Sequence, residues 1–143
     1  PNAPEARRLA EQDDDASEPD ADERARRLAA MGVQHVLLTG THENTPEVVN
    51  SLYGEDGLLR RDRWARLPGS YHGSGCTLAS AVAACLANGA GIEDAARDAQ
   101  DYTWRTLAAA FRPGMGQFIP DRLFWARDED ESDPGPPAAT PDA

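Results

Sequence analysis

Two glycines, a hydroxyl and a thiol, Gly73-Ser74-Gly75-Cys76, run directly into a stretch rich in Ala and Leu that has the composition of a helix. Glycine lets the backbone turn successive N–H groups toward a common point. A helix start adds amides with no intrahelical acceptor and the positive end of the helix dipole. Together these make an anion site suited to phosphate. A thiol at such a position sits in a field that favours thiolate, so Cys76 is a candidate base or nucleophile.

Other chemistries compete for the same residues. A serine-hydrolase elbow needs glycine two residues before and two after the serine; around Ser74 those places hold His72 and Cys76, and that motif fails. A cysteine hydrolase would pair Cys76 with a histidine, and His72, His35 and His42 are each arguable. A tight turn ahead of a helix with a buried cysteine is the non-functional alternative. The second thiol, Cys85, lies nine residues from Cys76. At about 100° per residue that puts the two on opposite faces of one helix, so neither a mutual disulfide nor a shared metal is expected. Two cysteines in 143 residues do not make a disulfide scaffold, and a cytoplasmic chain with free thiols is the simplest reading.

The surrounding elements follow from pattern. Pro1 to Leu9 reads as a short helix and Asp22 to Met31 as another, with Ala25, Leu28 and Ala29 on one face and Gly32 as its stop. Val33 to Thr39 is a short apolar run after a helix, as in a buried strand. Val48 to Tyr53 and Leu58 to Leu67 flank Gly54-Glu55-Asp56-Gly57 and predict a hairpin; the arginines of the second arm make it unsuited to the middle of a sheet. Cys76 to Asn88 is a helix. Ile92 to Phe111 is a longer one, with Ile92, Ala95, Ala99, Tyr102, Thr106 and Ala110 at the spacing of a buried stripe. Arg112 to Pro120 reads as an irregular connection and Leu123-Phe124-Trp125 as an apolar anchor. Helix followed by strand is the beat of an α/β layered domain. The three tryptophans, Trp64, Trp104 and Trp125, are expected to pack rather than to stack on a ligand, His35 to be a strand residue, and Met115 to line a cleft or sit in a loop.

Charge narrows the partners. The net charge is −11, and all fourteen basic residues are arginine. That excess argues against nucleic acid and against an anionic membrane surface, and the absence of lysine removes lysine-based mechanisms. No apolar run approaches the roughly 20 residues of a membrane span. Asp13-Asp14-Asp15 reads as a solvated loop rather than a metal site. From residue 127 onward the chain is acidic and then rich in Pro and Ala, and disorder is expected over 127–143.

The stretch His72-Gly73-Ser74-Gly75-Cys76-Thr77-Leu78-Ala79-Ser80-Ala81 resembles the signature of hydroxymethylpyrimidine/phosphomethylpyrimidine kinases, thiamine-pathway members of the ribokinase-like family. Pro1-Asn2-Ala3-Pro4-Glu5-Ala6 resembles that family's Pro-Asn-x-Pro-Glu-Ala segment. Tyr102 to Phe111, Gly114-Met115-Gly116-Gln117 and Ile119-Pro120-Asp121-Arg122 resemble the C-terminal end of some bacterial members. The motifs fall in the family's order from residue 1 to about 127.

The resemblance implies an α/β fold, the ribokinase-like three-layer α/β/α, present here as its C-terminal part over residues 1–126. It implies Mg2+ and ATP as cofactors, a pyrimidine alcohol and its monophosphate as substrates, and a homodimer for the full-length form. Gly73, Ser74, Gly75 and Cys76 would form the anion hole, Cys76 would be the base toward the substrate hydroxyl, and Asn2 and Glu5 would help place Mg2+ and phosphates. Where many members carry Lys-Gly-Gly-His, this chain has Thr39-Gly40-Thr41-His42. Threonine supplies no cation, so the resemblance implies that phosphate neutralisation rests more on Mg2+, on the helix end and on an arginine that the sequence does not identify. The implied alternatives are a non-catalytic fragment that binds nucleotide or a partner, and a related kinase such as one for pyridoxal.

Overall fold

The computed structural model describes residues 1–10, 20–41 and 45–126. Asp13–Asp15, His42 and the tail 127–143 lie outside the described residues. The elements are α1 (Ala3–Ala10), α2 (Ala21–Ala30), β1 (Val36–Thr39), β2 (Glu47–Gly54), β3 (Gly57–Ala65), α3 (Ser74–Ala87), α4 (Ile92–Ala108) and a 3-10 turn, Phe124–Ala126. Their order is the expected one, but several ends differ. Val33 is exposed and β1 starts only at Val36, so His35 is an exposed residue ahead of the strand. Helix α3 starts two residues earlier than its Ala/Leu composition indicates.

Local chemistry accounts for the boundaries. Asp20 caps α2 by accepting the Glu23 amide at 2.8 Å, and Gly32 ends it at φ 93°. Glu93 and Asp94 lie in the first turn of α4, where a helix dipole favours acids. Gly54 and Gly57 pair across the β2–β3 turn.

The sheet has the order β1-β2-β3, antiparallel throughout, and the arginine-bearing β3 lies at its edge. Alternate residues sort its two faces. Val36 pairs with Tyr53 and Leu38 with Ser51; on that face Val36, Leu38 and Tyr53 join Ala6, Ala25 and Leu28 in an apolar core under α1 and α2. On the other face Thr39 pairs with Asn50 and Asn50 with Asp62, and α4 packs there. Helices thus cover both faces, giving three layers, with α3 packed against α4.

The second interface is polar. Gln100 of α4, 3% exposed, accepts from Asn50 Nδ2 at 2.8 Å and from Trp64 Nε1 at 3.0 Å. Its own amide nitrogen donates to Asp62 Oδ2 at 3.0 Å and to the Ala96 carbonyl at 2.9 Å. Asp62 also takes Arg60 Nε at 2.9 Å and Arg97 Nη1 at 3.1 Å. Asn50 Oδ1 receives the Gly40 amide at 3.1 Å, so the network reaches the loop after β1. A side chain at Gly40 would meet the Val49 carbonyl oxygen at 2.4 Å, which reserves that position for glycine. Trp64 and Trp104 stack with centroids 6.5 Å apart, so these two tryptophans are packing residues, as expected.

Two consequences are measurable. Replacing Gln100 with Leu strands Asn50 Nδ2 and Trp64 Nε1 where α4 meets the sheet, while Asp62 Oδ2 keeps Arg60 Nε at 2.9 Å; leaving such groups unpaired costs about 1–3 kcal/mol each, so Gln100→Leu should lower stability by roughly 2 kcal/mol or more in urea titration. A change under about 0.5 kcal/mol would mean that the network contributes nothing net. Burial, and then the hydrogen bond and charge of Asp22, push the Tyr53 hydroxyl above its usual 10. A raised folded-state value means that the stability from neutral Tyr53 is present below pH 10 and is lost as pH climbs through the folded value. Tyr53→Phe should therefore flatten the fall of the denaturation midpoint as pH rises above 10; parallel curves for both proteins would refute this.

Candidate functional site

The Gly-rich turn is the N-terminus of α3. Gly73 is its cap, at φ 89°, a left-handed conformation that glycine adopts without strain. The first helical hydrogen bond runs from Thr77 N to Gly73 O at 3.0 Å, so the amides of Ser74, Gly75 and Cys76 lie in the turn with no acceptor behind them. Cys76 is the third residue of the helix and its thiol is exposed. This corrects the buried-cysteine alternative. Cys85 is half-buried, and both cysteines line one groove.

The groove runs between α3 and α4 and encloses about 550 Å³, with Cys76, Ala84, Cys85, Asp98, Tyr102 and Arg122 among its lining residues. Helix α3 carries no charged residue, and its one buried residue is Thr77. Leu86 is 42% exposed. The groove is lined mainly by apolar surface, with Asp98 and Arg122 as its charged residues.

A second segment holds the turn in place. His72 N donates to Phe118 O at 2.8 Å, and Phe118 N to Ser70 O at 2.9 Å, a parallel bridge between Tyr71 and Phe118. Phe111 and Ile119 exchange backbone bonds of 3.2 and 3.0 Å. Residues read from sequence as an irregular connection are thus short bridges that tie the turn to the end of α4. Asp121 N reaches Thr106 O at 2.9 Å, and the Tyr102 hydroxyl donates to the Arg122 carbonyl at 3.0 Å. Tyr71 packs on Phe118, with centroids 5.7 Å apart, and burial pushes its hydroxyl above the usual 10. Met115 and Trp125 are exposed, and of the supposed anchor only Phe124 is half-buried, against Tyr102.

Asn2 and Glu5 form a capping box at the start of α1. Asn2 N donates to Glu5 Oε2 at 3.0 Å, and Glu5 N to Asn2 Oδ1 at 2.9 Å. Asn2 also bridges Thr39 in parallel, with Thr39 N on Pro1 O at 3.0 Å. The Asn-x-x-Glu element and the loop that lacks the lysine are therefore neighbours. Arg66 braces the same loop, donating to the carbonyls of Thr41 at 2.9 Å and Thr45 at 2.6 Å. Glu5 offers one exposed carboxylate beside an amide, a donor set that suits Mg2+ arriving with phosphates and waters rather than a closed protein cage. Among the described residues no group of three or more His, Cys, Asp or Glu is placed to hold a metal. Among the described residues no hydrogen bond joins the Asn2–Glu5 corner to the Gly73–Cys76 turn; the corner is joined to β1 through Asn2 and Thr39, and the turn leads into α3, which packs on α4.

Sequence reasoning did not single out Thr77 or Arg122. Thr77, 3% exposed, donates its hydroxyl to Gly73 O at 2.8 Å and accepts Arg122 Nε at 3.1 Å. Its place one turn beyond the glycine cap was a usable signal; that of Arg122, 45 residues away, was not.

Comparison with known proteins fits this geometry. The chain matches the Phosphomethylpyrimidine kinase family over residues 1–121. It is 35% identical over 130 residues to the thiamine biosynthesis bifunctional protein ThiED of Geobacter sulfurreducens, covering 90% of this chain and 26% of that protein. It is 31% identical over 119 residues to the hydroxymethylpyrimidine/phosphomethylpyrimidine kinase of Escherichia coli, covering 83% and 45%. In structure it is similar to the pyridoxal kinase from Staphylococcus aureus in complex with AMP-PCP and pyridoxal, with TM-score 0.78 and 25% identity, over 89% of this chain and 48% of that one. The chain thus spans less than half the length of these relatives, and its layered fold is part of the ribokinase-like one. On sequence and architecture together, this chain belongs to the phosphomethylpyrimidine kinase family.

Proposed function

We propose that this chain is the C-terminal portion, residues 1–126, of a cytoplasmic ATP-dependent kinase of thiamine biosynthesis. Its substrates would be 4-amino-5-hydroxymethyl-2-methylpyrimidine and then the monophosphate of that alcohol. The observation that carries the reading is the first turn of α3: a left-handed glycine cap, three amides ahead of the first helical bond and an exposed thiol.

The chemistry assigned to these residues is positioning and electrostatics around an in-line transfer. The substrate hydroxyl oxygen bonds to the γ-phosphorus of ATP as the bond to the bridging oxygen breaks, and ADP leaves. The hydroxyl proton passes to the Cys76 sulfur. The amides of Ser74, Gly75 and Cys76 hold the phosphoryl oxygens. Asn2 and Glu5 are the residues assigned to Mg2+, which when bound neutralises phosphate oxygens.

A second reading, a fragment that binds nucleotide or a protein partner without turnover, is favoured for the chain in isolation. It spans only 26% to 48% of the relatives compared, and its Asn2–Glu5 corner and Gly73–Cys76 turn are not joined directly.

Steady-state assays of phosphoryl transfer from ATP to hydroxymethylpyrimidine separate these readings, run on the chain alone and on any longer polypeptide its gene encodes. For an active form, Cys76→Ala should lower kcat by a factor of about 100 to 10,000 with little change in the KM for ATP. No transfer by either form would reject the kinase reading. An unchanged kcat in the variant would reject Cys76 as the base and leave the anion hole standing.

A further inference from the structure

Arg122 is a cation placed where a helix alone would repel it. A helix N-terminus carries roughly half a positive charge, which favours anions and disfavours cations. Yet Arg122 Nε is fixed to Thr77 Oγ1 at 3.1 Å, in the first turn of α3. Its Nη2 stands 3.2 Å from where a Gly73 Cβ would be, directly over the cap. Three anchors keep it there: the Nε bond, the Tyr102 bond to its carbonyl at 3.0 Å, and the bond from Asp121 N to Thr106 O at 2.9 Å.

Other arginines are matched to acceptors or rings. Arg60 and Arg97 share Asp62, Arg63 meets Glu47, Arg105 meets Asp101, and Arg112 lies over Phe118. The only hydrogen bond the Arg122 side chain makes among the described residues uses Nε, and it has no ion pair there. Neither terminal nitrogen has a protein partner among the described residues, and both belong to a guanidinium beside the three amides ahead of the first helical bond, in a chain whose net charge is −11. Two positive features held together, with abundant acid elsewhere, are reconciled by an anion between them.

We propose that Arg122 is the phosphate-binding cation of this site, supplying from the C-terminal segment the charge that Thr39 does not supply from the loop after β1. This rests on the anion-hole reading of Gly73–Cys76. Thr77 acts as the positioning residue: its hydroxyl, between the Gly73 carbonyl and the guanidinium, sets the height of Arg122 over the turn.

Amide-resolved NMR titration of the 143-residue chain with inorganic pyrophosphate, ATP and adenosine tests the assignment. Pyrophosphate and ATP should shift the Ser74, Gly75 and Cys76 signals. Arg122→Gln should weaken both about tenfold, and Arg122→Lys should recover part of the loss. Any affinity for adenosine should be the same in all three proteins, which a merely structural role for the arginine would not produce. Signals from α4 and the sheet report whether each variant keeps its fold. If pyrophosphate and ATP bind the turn of Arg122→Gln as tightly as the parent, the inference is overturned while the anion hole stands. If neither ligand moves the turn in the parent chain, the anion-hole reading falls and Arg122 with it.

Discussion

Gln100 is nearly inaccessible where α4 meets the sheet, and its one amide group serves Asn50, Trp64, Asp62 and the Ala96 carbonyl at once. A buried amide that satisfies all its neighbours admits few alternative dockings, because sliding α4 by one residue would leave several polar groups unpaired. The apolar interface under α1 and α2 has no comparable selectivity: Ala25, Leu28, Val36 and Leu38 attract one another in many registers. The sheet and α4 thus share one frame, α3 is carried on α4, and the Gly40 loop is tied in through Asn50. Both parts of the proposed site inherit their positions from this junction.

The segment from Phe111 to Arg122 does a related task with backbone alone. Single-residue bridges at Phe111–Ile119 and Tyr71–Phe118 hold the approach to α3 against the exit from α4. The turn needs this support because glycine, which makes its conformation accessible, also leaves it poorly determined. Arg122 lies at the end of the same segment, so the element that fixes the turn also brings it a cation.

Much of this was legible in the sequence. Helix and strand followed one another in pattern, Gly54 to Gly57 marked the hairpin, the arginines of β3 marked an edge, and Gly73 to Cys76 marked a glycine-rich turn before a helix. What was missed depends on distant partners. Burial of Gln100 is decided by Asn50 and Asp62, fifty and thirty-eight residues away, and no local periodicity encodes that. One-residue bridges leave no alternation to detect, so 112–120 looked irregular. Helix α3 began early because Ser74 and Gly75, weak helix formers, are recruited by the glycine cap and the Thr77 hydrogen bond. Arg122 could be anticipated as a need once Thr39 stood in place of a lysine, but not as a position.

The capping box at Asn2 and Glu5 gives the first turn of α1 a second meaning. The Glu5 carboxylate oxygen that accepts the Asn2 amide is part of the group assigned to the cation. A ligand that turned Glu5 outward would release that amide to water, while one that took only the free oxygen would leave the helix start as it is. On the proposed assignment of Glu5, ion occupancy and fraying of α1 would be one equilibrium seen from two ends, each weakening or strengthening the other by the same free energy. Because Asn2 also bridges Thr39, an ion held by Glu5 would extend that equilibrium to β1, and a helix of eight residues would gauge what is bound at its own beginning.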